Sequence, residues 1–275
     1  MIRQLLKYAS PIVVSRLTNV LLSIISTVIV AHLGLNELAA YGLTYPIYLT
    51  FYLILISYLL VFSVRAAQYR EDKEQLGGFV IATILFASLL SLVMIVSFCL
   101  IPRVLPLLGQ APDVIHLASQ FFYFIVFGVP PLLFAVVLNQ LLIILHRSIF
   151  VIIVQFSLLI VGVFLVYLFS HIYGLGVKGV AIGFSITYWL KFIVSSVYLL
   201  IFCREQVVIK SVVVAKLLSH IKFLLGLGWP VSLQYGSELI AGAIVLLMIG
   251  HLYPDALAAQ QAVTQLRVFF IMIAF

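Results

Sequence analysis

The sequence predicts an all-α, polytopic membrane protein. It has a six-helix N-terminal lobe followed by the first two helices of a parallel-repeat second lobe. Two observations lead there. The chain is 65% hydrophobic and only 8% charged, with a mean hydropathy of +1.31. Soluble domains carry about 45–50% apolar and about 25% charged residues. An aqueous fold of 275 residues has too little interior for this much apolar surface, so bilayer lipid must act as solvent. The second observation is an internal repeat. Residues 11–40 return, ungapped, at 230–259, with seven identities in thirty positions. Pro11 falls on Pro230, Ile25 on Ile244, His32-Leu33 on His251-Leu252, and Leu38-Ala39-Ala40 on Leu257-Ala258-Ala259. Six apolar segments run between the start of one copy and the start of the other. Six crossings are even, so both copies enter the membrane in the same direction. The lobes are then related by an axis along the membrane normal.

Eight segments reach the length of about 20 residues that a crossing needs. The first, 11–32, is long enough to span and carries no small-residue cleavage site, so it reads as a retained anchor. The second, 38–64, holds Tyr41, Tyr45, Tyr48 and Tyr52 at spacings of four, three and four, which is one helical face. It stops at the charged run 65–75. The third is 76–101. The fourth, 114–142, contains Pro130-Pro131 and is predicted to kink or break there. Its Phe121-Phe122-Tyr123-Phe124 run points all round the helix and reads as packing. The fifth, 149–170, follows the short break at His146-Arg147. The sixth is 179–202. The longest connection, 203–222, alternates Lys with apolar residues from Val207 onward. It reads either as an amphipathic surface helix or as a solvated linker. The seventh and eighth are 223–251 and 256–275. The predicted domains are 1–202 (the N-terminal lobe), 203–222 (a cytoplasmic inter-lobe linker) and 223–275 (the start of an incomplete C-terminal lobe).

The basic residues set the orientation. Ten Lys or Arg lie on the side of the N-terminus: Arg3, Lys7, Arg65, Arg70, Lys73, Arg147, Arg204, Lys210, Lys216 and Lys222. Two, Arg103 and Lys178, lie on the other. That asymmetry predicts a cytoplasmic N-terminus in a plasma (inner) membrane. It also accounts for the net charge of +7 without nucleic acid as a partner. Cys99 and Cys203 fall at opposite ends of their spans, so no disulfide is expected, and no metal-ligand spacing occurs.

Four charged residues fall inside predicted spans: Arg16, Lys191, Glu238 and Arg267. Each costs about 2.5–3.5 kcal/mol at a helix centre on insertion scales, so each should face a cavity or a partner. For Lys191 and Arg267 the competing reading is snorkelling toward an interface or pairing for structure. Glu238, the one carboxylate inside a span, reads as a titrating or cation-binding group. Arg16, Asn19, Ser23 and Ser26/Thr27 share one face of the first span, and Gln234 and Glu238 share one face of the seventh. The repeat aligns Asn19 with Glu238, so these stripes are expected to face each other across a central space. For the hydroxyls, ordinary interhelical hydrogen bonding is the competing reading. The tyrosine stripe is either packing or a surface for flat organic cations, with Tyr45 as the candidate cavity residue. Paired in-span carboxylates, HExxH and a phosphate loop are all missing from the sequence, so no enzyme and no catalytic residue is predicted.

The sequence resembles the multidrug and toxic compound extrusion (MATE) transporters. The likeness is carried by SPIVVSRL (10–17), AHLGLNELAAYGL (31–43), LLGQAPDVIHLASQFFYFIVFGVPP (107–131), GLGVKGVAIG (174–183), LGWPVSLQYGSE (227–238) and LAAQQAV (257–263). The resemblance implies a twelve-helix fold of which this chain holds eight. It places Glu238 on a cation-binding glutamate of the seventh helix and Gln261 on a family glutamine of the eighth. It also exposes departures. Ser26 stands about where the family has an aspartate in the first helix. The fifth helix lacks the family's Asn and Asp. The implied function is a secondary antiporter that exports organic cations or drugs in exchange for protons or sodium. Beyond proton or sodium as coupling ion no cofactor is expected. The implied partners are an organic substrate and membrane lipid, with a monomer if full length. Two alternatives stay open: a lipid-linked sugar flippase of the same superfamily, favoured by the in-span cations, and a non-transporting fragment of a truncated gene.

Overall fold

The computed structural model describes residues 18, 21–108, 111–207, 214–252, 259, 260 and 263. Among these the chain is helical and contains no strand. The helices are α1 (Leu21–Ala31), α2 (Leu35–Leu60), α3 (Phe62–Gln68), α4 (Lys73–Val104), α5 (Pro112–Ile125), α6 (Val129–Ile144), α7 (Ser148–Tyr167), α8 (Gly176–Phe202) and α9 (Val214–Leu252). Among the described residues, five stretches are long and apolar enough to cross a membrane: Leu35–Gln68, Lys73–Leu107, Pro112–Ile144, Ser148–Ile172 and Gly176–Phe202. They are the second to sixth predicted spans, each extended by a few residues. At α4 the extension has a visible cause. The Asp72 carboxylate accepts the N–H groups of Glu74 and Gln75 at 3.2 and 3.0 Å. This N-cap starts the helix before its apolar stretch begins. The eighth predicted span and Arg267 lie almost wholly outside the described residues.

The outer surface of the bundle is apolar, while its hydroxyl-bearing side chains and many of its rings are turned inward among buried aliphatic residues. On α4, Leu85, Leu89, Leu92, Val93 and Val96 are exposed, while Phe79, Phe86, Met94 and Phe98 are buried. On α7, Ile153, Phe156, Ile160 and Phe164 are exposed at helical spacing. An apolar belt of this extent belongs against lipid. Inside, hydroxyls bond back to their own helices. Thr83 donates to the Phe79 carbonyl at 2.8 Å, Thr187 to Gly183 at 2.7 Å and Ser170 to Val166 at 2.6 Å.

The predicted break at Pro130-Pro131 is present. A 3-10 turn at Val126–Gly128 separates α5 from α6. Pro131 has no N–H for the carbonyl four residues back, at Phe127. That carbonyl is taken up by α8: the Trp189 indole N–H donates to it at 3.0 Å. Beside it, the Ser185 hydroxyl donates to the Phe124 carbonyl at 3.1 Å. The break is therefore pinned by α8.

α8 also lies very close to α7. A Cβ on Gly179 would stand 2.5 Å from the carbonyl carbon of Phe169, and one on Gly183 2.9 Å from the Val166 nitrogen. Gly179 and Gly183 form a small-xxx-small pair that lets backbones touch. At the opposite chain reversal, His146 adopts a left-handed conformation (φ 61°). The Arg147 N–H returns to the Leu142 carbonyl at 2.8 Å, which closes α6 and turns the chain into α7.

α9 packs against α2 and α4. Residues 214–222, inside the predicted inter-lobe segment, are already helical and run into the seventh span without a break. The Ser232 hydroxyl donates to the Ile54 carbonyl at 3.2 Å. A Cβ on Gly228 would stand 2.5 Å from the Tyr58 ring.

Candidate functional site

The tyrosine stripe of α2 points into the bundle. Tyr41 and Tyr48 are buried, and Tyr45 and Tyr52 are half-buried. Tyr41 and Tyr45 stack at 5.3 Å between ring centroids, and Tyr48 and Tyr52 at 6.2 Å. Phe121 of α5 meets Tyr41 and Tyr48 edge-on, at 6.2 and 6.4 Å. Phe184 of α8 meets Tyr45 at 6.5 Å. Packing therefore explains Tyr41 and Tyr48, whereas Tyr45 and Tyr52 keep accessible ring surface. The hydroxyls of Tyr48 and Tyr188 are hydrogen-bonded at 2.9 Å, which joins α2 to α8. Sequence reasoning missed Tyr188. The signal was present, because Phe184, Tyr188 and Phe192 recur at spacings of four on one helical face.

The polar stripe of α1 also faces inward where it is described. Ser23, Ser26 and Thr27 are buried, as is Thr18. Thr27 donates to the Ser23 carbonyl at 2.9 Å. The Tyr41 phenol comes up against Ser23 and Thr27. The Ser26 hydroxyl oxygen is enclosed without a hydrogen-bond partner.

Lys191 lies near the middle of α8 and is half-buried. It sits one turn from buried Thr187 on one side and from buried Ser195 on the other. Ser195 donates to the Asn139 amide oxygen at 3.2 Å, a polar link between α6 and α8. Of the remaining predicted site residues, Arg16, Asn19 and Gln261 lie outside the described residues. Glu238 is within α9, but its side chain is outside what is described. Gln234, one turn before it, is exposed. The predicted facing of the first and seventh helices rests on these residues. The described part of α9 packs against α2 and α4, and the expected facing falls largely on residues outside those described.

A second missed residue is Glu37, in the first turn of α2. Its carboxylate accepts the Val177 N–H at 2.8 Å, at the first turn of α8. An anion there offsets unpaired N–H groups and the helix dipole. Gly176 sits at φ 56°, a left-handed conformation that favours glycine, and a Cβ there would press on that carboxylate. Glu37→Ala should cost about 1–2 kcal/mol of stability, measured as a lower unfolding midpoint in detergent. Glu37→Gln should cost less, because an amide oxygen still accepts the N–H.

By architecture this is a helical, multi-pass membrane protein. The family model described as MatE matches residues 11–168, more than half of the chain, and the chain belongs to the MatE family. A comparison with curated sequences finds no match. Solved structures resemble it in fold. The MATE multidrug transporter DinF-BH superposes with a TM-score of 0.81 at 18% identity, over 97% of this chain and 60% of that one. An inward-facing multidrug resistance MATE family transporter of the MOP superfamily gives 0.76 at 19%, over 88% and 56%. A MOP superfamily transporter from Pyrococcus furiosus, described as having a binding pocket of reverse polarity, gives 0.73 at 17%, over 94% and 63%. The chain thus spans about three-fifths of the length of these structures.

Proposed function

We propose that this protein moves an organic small molecule across the membrane as a cation-coupled antiporter, or supplies the N-terminal part of one. Membership of the MatE family supports the transporter reading. The observation that carries the coupling is Glu238, the one carboxylate inside a predicted span, on a helix packed against α2 and α4. Proton or sodium binding at Glu238 would favour one arrangement of the lobes and substrate the other. A ligand with equal affinity for both would shift nothing. Half-buried Tyr45 and Tyr52 offer ring faces to a flat cation. In this reading the N-terminus is cytoplasmic, in line with the distribution of basic residues. Membrane-impermeant labelling of a cysteine placed at Leu107, from the outer face, tests that orientation.

The test of function is flux in proteoliposomes under an imposed proton or sodium gradient, with a fluorescent aromatic cation as substrate. Gradient-dependent movement of the dye is expected. No movement with either ion would reject transport by this chain on its own.

Lys191 favours a second reading. A mid-span cation beside Tyr188, on the interior-facing side of α8, suits an anionic substrate such as a lipid-linked sugar phosphate. The relative with a pocket of reversed polarity makes that polarity worth testing in the same vesicles. Transport of a lipid-linked sugar phosphate without transport of the cation would decide for it.

A further inference from the structure

The first turns of α9 are held against the basic end of the bundle by rings and charges. His220 enters between two aromatic residues. Its ring centroid lies 5.0 Å from that of Phe79 on α4 and 6.0 Å from that of Tyr69, just after α3. Phe223, one turn later, meets the same Phe79 edge-on at 6.3 Å. Arg65 of α3 lies over the Phe223 ring at 4.1 Å and reaches Tyr69 at 5.8 Å. Phe79 is itself fully buried and stacked on Phe62 at 5.2 Å. The His220 Nδ1 atom is enclosed and has no hydrogen-bond partner.

We propose that this contact is a pH-operated clasp between α9 and the N-terminal bundle, shut while His220 is neutral and released when it is protonated. The geometry gives three reasons. The enclosed Nδ1 has no acceptor to receive the proton of an imidazolium, so a charged ring would leave a buried donor unpaired. The charged groups acting on the ring are both cations: Arg65 from α3 and Lys216 from its own helix. Its ring neighbours, Phe79 from α4 and Tyr69 from the end of α3, bring no carboxylate to offset them. Lys222, two residues on, is exposed. Burial, Arg65 and Lys216 all push the His220 pKa below its ordinary value. The clasp lies in the helix that joins the bundle to the second repeat, so releasing it would loosen the coupling between them. This inference does not depend on the identity of the substrate.

The sign follows from linkage. Above the ordinary histidine pKa, about 6.5, the ring is neutral whether the clasp is shut or open, and the full contact stands. Below about 6.5 the open form takes up a proton that the shut form resists, and the contact weakens. At pH 5.5 the opening constant rises by no more than about tenfold, the limit for one proton over one pH unit.

The experiment is hydrogen exchange of residues 214–224 in the full chain held in lipid nanodiscs. Labelling times at pH 7.5 and 5.5 are scaled for intrinsic exchange. The parent should exchange several-fold faster at pH 5.5 after scaling. His220→Phe keeps a ring between Phe79 and Tyr69 but cannot titrate, so its exchange should be equal at the two values. If the Phe variant does not fold, His220→Gln serves the same purpose. A parent that does not respond to pH overturns the proposal. So does a variant with the same acid-induced opening as the parent, since another group would then be responsible.

Discussion

Replacing Gly179 with valine should destabilise the protein by about 3 kcal/mol, seen as a drop of roughly 10 °C in its unfolding midpoint. The site is where α8 comes nearest to the end of α7. A Cβ at 179 would lie 2.5 Å from the Phe169 backbone carbon and 2.6 Å from both the Phe169 oxygen and the Ser170 nitrogen. Backbone cannot rotate away as the tip of a side chain can, so the two helices must part. The π-turn at Leu168–Ile172 sits in this contact, and parting the helices would break its packing. In a bilayer there is no hydrophobic force to restore the contact. Close van der Waals packing is what holds apolar helices together in lipid. Gly226 is the control. It lies in α9, and a Cβ there meets nothing within 4 Å. Gly226→Val should leave the midpoint nearly unchanged. Equal losses for the two variants would show that helix propensity, not the α7–α8 contact, sets the cost.

In a complete transporter built on this chain, Glu238→Gln is expected to abolish gradient-driven flux in proteoliposomes while leaving expression and the unfolding midpoint close to the parent's. Glutamine keeps the length and one acceptor oxygen but cannot change its charge. It therefore cannot bind and release a proton, and it binds a cation far more weakly. Loss of coupling means that transport no longer follows an imposed pH or sodium gradient. Full gradient-driven flux by the variant would make Glu238 a structural carboxylate and place the coupling elsewhere. A collapse of expression would instead show that the carboxylate is needed for folding, which a coordinated structural role would require.

Much of the architecture was legible in the sequence. The second to sixth spans were placed to within a few residues because about 20 apolar residues are needed to cross a bilayer, and polar punctuation brackets them. Pro130-Pro131 foretold the α5–α6 break because a proline withholds a helix N–H whatever surrounds it. Composition declared the solvent, and the landmarks at 10–17, 31–43 and 107–131 declared the family. The candidate site was less legible. The tyrosine stripe was read as one face, but periodicity does not say which helix that face meets. Only the packed bundle shows Phe121 closing over Tyr41 and Tyr48, and Tyr188 bonded to Tyr48.

The solvent, the second to sixth helical segments, the break and the family were all readable from the sequence, because each follows from local chemistry: apolar length, a missing N–H, an ordered set of short motifs. The tertiary structure decided which residues complete one another across the chain. Glu37 meets the Val177 N–H from 140 positions away. Trp189 satisfies the carbonyl that Pro131 left open. His220 enters between Phe79 and Tyr69. Each such pair is fixed by the direction in which a helix returns after one or more crossings, and no local pattern in the chain encodes that direction.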